Sequence, residues 1–153
     1  DRGGWLLYRS DMQRYDGRTF AVVRVIDGDT LDIAEPDGKS PTTRVRLWGI
    51  DTPELARRDP PAPAEPLAAE AHAIARQLCE GKSVTLHLEA DRLRGRYGRL
   101  LAHVELGDGT VLNETLLSLG LADFDARFMH SRYEAYRQCA DAARQARVGL
   151  YDN

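Results

Sequence analysis

At 153 residues, with 42% hydrophobic and 29% charged residues, the chain is sized for one domain with its own core and is too apolar to be disordered. A net charge of −3 excludes the coating of DNA by bulk electrostatics, so any polyanion has to be met by a local cluster of arginines. No apolar run approaches the roughly 20 residues of a membrane span, and the lone pair Cys79 and Cys139 excludes a cysteine-rich zinc site.

In chain order, Asp1 to Arg18 reads as an irregular N-terminal arm with one apolar cluster, Trp5, Leu6, Leu7 and Tyr8. The arm is taken to cover 1–19 and the domain 20–153. The chain begins at Asp1 without an initiator Met, and the expectation is a processed product. Phe20 to Ile26 is a strand by its β-branched content. Leu31 to Ile33 resumes the alternation, and Asp37-Gly38 signals a hairpin into Thr42 to Trp48. These three strands form a meander. In the third, alternation places Arg44, Arg46 and Trp48 on one face and Val45 and Leu47 on the other.

Arg57 to Pro66 holds four prolines and is expected to be an extended loop. Leu67, Ala71, Ile74, Ala75 and Leu78 recur at helical spacing, with Gly81 as the stop. Ser83 to Leu88 and Arg99 to Leu106 are the fourth and fifth strands, and Asp108-Gly109 turns the chain again after the fifth. Asn113 to Leu119 is a short helix closed by Gly120. Ser131 to Val148 is a longer one, with Tyr136, Cys139 or Ala140, and Ala143 facing inward. Both cysteines fall in helix-like stretches and are expected to be free, buried thiols. The order of elements suits an α+β domain built on a short, partly closed five-stranded barrel, with a helix plugging one end.

Asp27 and Asp29 in "VIDGDT", and Asp51 and Glu54 in "GIDTPE", close neighbouring strands. Either turn alone is ordinary, because Asp-Gly and Asp-Thr-Pro are good turn formers. Four acids gathered together repel unless a positive charge sits among them, and hard divalent cations prefer such oxygen donors. Arg46 lies just before Asp51, and "RLRGRYGR" adds Arg92, Arg94, Arg96 and Arg99, whose forks suit phosphate oxygens. Carboxylates holding a metal beside arginines are what phosphodiester hydrolysis requires. His72, His87, His103 and His130 show no metal-ligand spacing and read as structural. Trp48, Tyr133 and Tyr136 read as packing residues.

"VVRVIDGDTL", "RVRLWGIDTPE", "RYGR" and "VLNETLLSLGLA" together resemble, in order and spacing, the staphylococcal nuclease (thermonuclease) family, from about Phe20 to Tyr151. The resemblance implies an OB-fold barrel with three helices. It implies that Asp29 and Asp51 bind Ca²⁺ through carboxylates and Thr52 through its carbonyl, with Asp27 just outside them. Glu54 matches the residue proposed as general base, or as the one that positions the attacking water. Arg46 matches the arginine on the phosphate, and Arg99 the one that stabilises the transition state. Tyr97 matches a tyrosine at the nucleotide's phosphate, with Arg96 beside it. The family's base-stacking tyrosines fall near Ala126 and Phe128; Phe128 can stack on a base, but a core role is the plainer reading. The proline-rich loop replaces a segment that often carries lysines, which points to weaker binding of long DNA.

The reading is therefore a Ca²⁺-dependent, sugar-non-specific nuclease, a secreted or periplasmic monomer acting on DNA and RNA and leaving 3′-phosphates. The alternatives are a non-catalytic OB-fold module that binds nucleic acid or protein, and a calcium-binding structural domain.

Overall fold

A computed structural model of the chain describes residues 11–152. The Trp5 to Tyr8 cluster lies outside the described residues.

Alternating apolar residues form five strands that close on themselves: β1 (Thr19–Asp27), β2 (Thr30–Ile33), β3 (Thr43–Leu47), β7 (Ser83–His87) and β8 (Leu100–Glu105), in the barrel order β1-β2-β3-β8-β7. The first three pair antiparallel as the expected meander. Closure comes from β8, which runs parallel to β3 and antiparallel to β7, while β7 returns to the start of β1. Val25, Leu31, Ile33, Val45, Leu47, Leu86, Leu100 and Val104 fill the interior. Each Leu or Ile so buried contributes about 1.5–3 kcal/mol.

Helix α2 (Ala68–Cys79) caps one end, and its small buried face of Ala68, Ala71, Ala75 and Cys79 lets it lie close to β1. Helix α3 (Leu112–Ser118) packs on β8, and α4 (Tyr133–Ala146) on α3. On α4 the inward positions are Tyr136, Ala140 and Ala143, so Ala140 rather than Cys139 faces the core. Both cysteines are free as expected, but only Cys79 is buried, and burial pushes its thiol up to about 12. Cys139 is half-buried because it lies off the inward face of α4.

Three features differ from the sequence reading. First, residues 11–15 are helical, α1, and Tyr15 within them is fully buried, its phenol sharing a 2.8 Å hydrogen bond with Thr43 Oγ1. Second, the proline-rich segment is non-helical as expected, but it carries a two-residue ribbon, β5 (Arg57–Arg58) with β6 (Pro61–Ala62). Third, β3 stops one residue short of Trp48, which is nonetheless a packing residue as expected. The strand ends at Leu47 and Gly49 turns with φ +73°, so Trp48 swings into the core, where it is 4% exposed.

The turn after β3 sets up the site. It leads into β4 (Ile50–Asp51), which pairs with β9 (Asp123–Phe124). Asn113, wholly buried on α3, fixes this turn: its side-chain amide donates to the Trp48 carbonyl at 2.9 Å and its oxygen accepts from the Val104 N–H at 3.1 Å.

Candidate active site

The β1–β2 turn, Asp27 to Thr30, and the segment from β4 to Glu54 meet at one mouth of the barrel. They approach so closely that a Cβ on Gly28 would lie 2.8 Å from Thr52 Oγ1 and 2.9 Å from its Cβ. Glycine at 28 is what permits this contact. The Thr52 N–H donates to Asp29 Oδ2 at 3.0 Å, and the Thr30 hydroxyl donates to Asp29 Oδ1 at 3.0 Å. Asp29 is thus buried and held at both oxygens, which fixes where its charge sits.

Arg46 lies between the two acidic turns. Its Nη2 is 2.8 Å from Asp51 Oδ1 and 3.3 Å from Asp29 Oδ2, and its Nη1 donates to the carbonyls of Leu47 and Ile50, both at 2.8 Å. The structure therefore places a guanidinium at the centre of the acid cluster. The acids still repel one another. Burial, and next the neighbouring Asp29, push Asp27 up to about 6, although the Gly28 N–H opposes this. Asp51 is also raised, by burial first, with Arg46 opposing and Asp29 adding to the rise. Glu54 is more exposed, its side chain 3.5 Å from the Arg57 guanidinium, while its own N–H donates to Glu65 Oε1.

Across the mouth stands the loop from Arg92 to Arg99, which ends in a 3₁₀ turn, Arg96–Gly98. Arg99 forms the wall shared by two cavities of about 650 and 360 Å³. Burial, and next the charge of Arg46, lower the pKa of Arg99 from its ordinary value. The smaller cavity is also lined by Arg46, Arg92, Arg96, Arg127 and Phe128, and the larger by Asp27, Thr30, Arg44 and Tyr97. Tyr97, at φ +66°, is 85% exposed.

The expected site residues Asp29, Arg46, Asp51 and Thr52 are brought into one contact network, and Arg99, Arg96, Tyr97 and Phe128 line the adjoining cavities. Two expectations need correcting. Arg94 does not join the phosphate-facing arginines, because it is pinned by Asp11 at 2.9 Å and Asp37 at 2.8 Å and ties α1 to the β2–β3 loop. Phe128 is not a core residue. It is 39% exposed, with the Arg92 guanidinium 3.9 Å from its ring centroid.

Sequence reasoning missed Arg92 as a stacking partner and missed Arg127, which forms a two-point ion pair with Asp125 at 2.9 and 2.8 Å. The Asp-x-Arg spacing in "DAR" is a weak signal for such a pair. It also missed that Glu89, His103 and His130, far apart in the chain, gather beneath Trp48. No linear spacing reveals that group. His72 and His87 do make plain structural bonds, to the Val25 carbonyl and to Glu105.

Comparison with known proteins agrees with this geometry. The family model described as "Staphylococcal nuclease homologue" matches residues 44–153. The chain is 36% identical over 129 residues to a thermonuclease of Staphylococcus hyicus, covering 84% of this chain and 71% of that protein. It is 39% identical over 106 residues to a thermonuclease of Staphylococcus intermedius, covering 69% of this chain and 59% of the relative. To endonuclease YncB of Bacillus subtilis (strain 168) it is 37% identical over 99 residues, spanning 65% of this chain but only 44% of that protein. With the barrel, the acidic turns and the facing arginines in place, the chain belongs to the staphylococcal nuclease family.

Proposed function

We propose that this protein is a hydrolase of phosphodiester bonds, a Ca²⁺-dependent, sugar-non-specific nuclease that cleaves DNA and RNA and leaves 3′-phosphate ends. The observation that carries the reading is Arg46 between Asp29 and Asp51, with Arg99 walling the cavities beside it. The thermonuclease and endonuclease relatives support the same reaction class.

The donors fit a hard cation. Asp29, Asp51 and the Thr52 carbonyl offer only oxygen, as Ca²⁺ prefers. Two observations argue for a missing positive partner: the elevation of Asp27 by burial and its acidic neighbour, and the buried Thr52 Oγ1, which has no hydrogen-bond partner. Bound by these residues, calcium would act as a Lewis acid, polarising the phosphate and offsetting charge that develops on it.

The chain's own groups do the rest. Arg46 and Arg99 present fixed guanidinium forks to the phosphate, and because they are already ordered they favour the more highly charged transition state over the ground state. Glu54, exposed at the rim, accepts a proton from the attacking water or orients it. Arg96 and Tyr97 receive a neighbouring phosphate, and Phe128 offers a ring for a base to stack on. We take the protein to be a secreted or periplasmic monomer, an environment where calcium is abundant.

The decisive experiment is hydrolysis of denatured DNA and of RNA, with calcium and with chelator, by wild type and Glu54→Gln. Cleavage that requires calcium and falls on the order of a hundredfold in the variant is expected. Binding of single-stranded DNA without hydrolysis in either condition would establish the non-catalytic OB-fold module instead.

A further inference from the structure

Glu89, His103 and His130 form a second polar cluster, the other group with metal-ligand chemistry among the described residues. One donor atom from each lies within 4.8 Å of the others. They come from three places: the second residue beyond β7, the middle of β8, and the segment leading into α4. His103 is 1% exposed and spans the cluster, with Nε2 2.9 Å from Glu89 Oε2 and Nδ1 2.5 Å from the Tyr136 hydroxyl. Trp48 and Tyr136 pack their rings around both histidines.

His130 carries the unexplained atom. Its Nδ1 accepts the Arg132 N–H at 3.1 Å, which makes Nε2 the proton-bearing nitrogen, and Nε2 is buried without a partner. A buried donor left unpaired costs about 1–3 kcal/mol. In a fold that satisfies nearly all its buried side-chain groups, such an atom calls for an occupant.

We propose that Glu89, His103 and His130 bind one transition-metal ion of the Zn²⁺ class, distinct from the calcium site at Asp29 and Asp51. Two imidazoles and one carboxylate are a donor set for zinc, cobalt or nickel, whereas calcium takes oxygen ligands. Coordination takes the neutral imidazoles and the carboxylate anion. The ion enters where the Glu89–His103 hydrogen bond now runs. The His103 ring proton moves from Nε2 to Nδ1, where the Tyr136 oxygen accepts it, so Tyr136 orients the ligand as second partners of metal-bound histidines do. His130 adjusts in one of two ways. In either mode the Arg132 N–H gives up its bond to Nδ1: through Nδ1 because the ion takes that lone pair, through Nε2 because the ring proton shifts to Nδ1, and only the second fills the orphaned position. No net proton is released from either ring. The Ser131 hydroxyl donates to Glu89 Oε2 at 2.7 Å and holds that carboxylate in place.

The consequence is structural. The ion clips β8 and the end of β7 to the segment that carries Arg127 and Phe128, the outer wall of the smaller cavity. Zinc thus steadies the nucleotide-facing loop without touching the scissile bond.

The test uses the full chain stripped with chelator, titrated with Zn²⁺ against a chromophoric indicator and with Co²⁺ followed by its visible absorption. One ion per chain, a raised melting temperature and a Co²⁺ spectrum unchanged by millimolar calcium are expected. Glu89→Gln and His130→Gln each weaken binding by about tenfold or more, while the double variant His72→Gln/His87→Gln binds as wild type does. Near-UV circular dichroism of the metal-free variants establishes that they fold; should Glu89→Gln fail to, Glu89→Asp takes its place. Zinc bound no tighter by wild type than by His130→Gln, or lost with the outer histidines, overturns the proposal. The readout is binding alone, so it stands or falls apart from the nuclease assay.

Discussion

Arg46 has two roles that pull against each other. In the structure it neutralises Asp29 and Asp51, and in the proposed reaction it must grip a phosphate while calcium takes those same carboxylates. Guanidinium and cation therefore compete for the acids until the substrate's negative charge satisfies both. Replacing Arg46 with methionine removes the competitor and keeps the apolar stem. Calcium binding measured by calorimetry without nucleotide is expected to tighten, by about tenfold, since a unit charge a few ångströms from a dication is worth on the order of a kcal/mol or more even when screened. Turnover of single-stranded DNA is expected to fall at least a hundredfold or so, and Arg46→Lys not to restore it, because an ammonium lacks the fork. Unchanged calcium affinity in the methionine variant would show that Arg46 stands clear of the cation.

Among elements, one buried carboxylate stitches β1, β2 and β3. Asp32 is directly opposite Arg24 on one side and Arg44 on the other, and both guanidinium groups bond to its carboxylate at 3.0 Å. Asp32 is buried and the arginines are half-exposed. Burial works to raise the Asp32 pKa, but the bonds from Arg44 and Arg24 outweigh it and hold it below the usual carboxylate value. A depressed folded-state pKa means stability that is fully present above the unfolded pKa, near 4, and lost as pH falls through the folded one. Asp32→Asn is accordingly expected to cost about 2 kcal/mol at pH 7 by chemical denaturation, and to flatten the decline in stability below pH 4. This meander is legible from sequence because period-2 alternation and the Asp-Gly turn are local. The closing parallel pair, β3 with β8, is not, since Val45 meets Leu100 across a long separation and no periodicity records it. The same limit explains the site. Asp29, Asp51 and the arginines are found through motifs that keep strand ends together, whereas Arg94 is misread because its partners Asp11 and Asp37 lie elsewhere in the chain. Trp48 is read correctly as a packing residue, because a large aromatic at the end of an apolar strand is buried whichever way the turn runs.

For the whole molecule, the sign and distribution of charge decide how it meets a polyanion. The chain is net acidic, and most of its described arginines near carboxylates are spoken for: Arg24 and Arg44 by Asp32, Arg94 by Asp11 and Asp37, Arg127 by Asp125, Arg137 by Glu134 and Asp141. Arg92, Arg96 and Arg99 line the smaller cavity with no ion-pair partner among the described residues. Three unshared cations in this cavity imply that few phosphates are neutralised by a strand lying there, so affinity for that path rests on a small footprint. For single strands each neutralised phosphate contributes about −0.7 to the slope of log affinity against log salt concentration. A slope of about −2 is therefore expected for single-stranded DNA, measured by fluorescence anisotropy in chelator, which withholds the proposed calcium. Arg92→Ala/Arg96→Ala should bring the slope to about −0.7, whereas removing Arg137, which is paired to Glu134 and Asp141 and does not line the cavity, should leave it unchanged. A much steeper wild-type slope that survives the double substitution would place the contacts outside this cavity, and the two-walled channel around Arg99 would then not be the path of the strand.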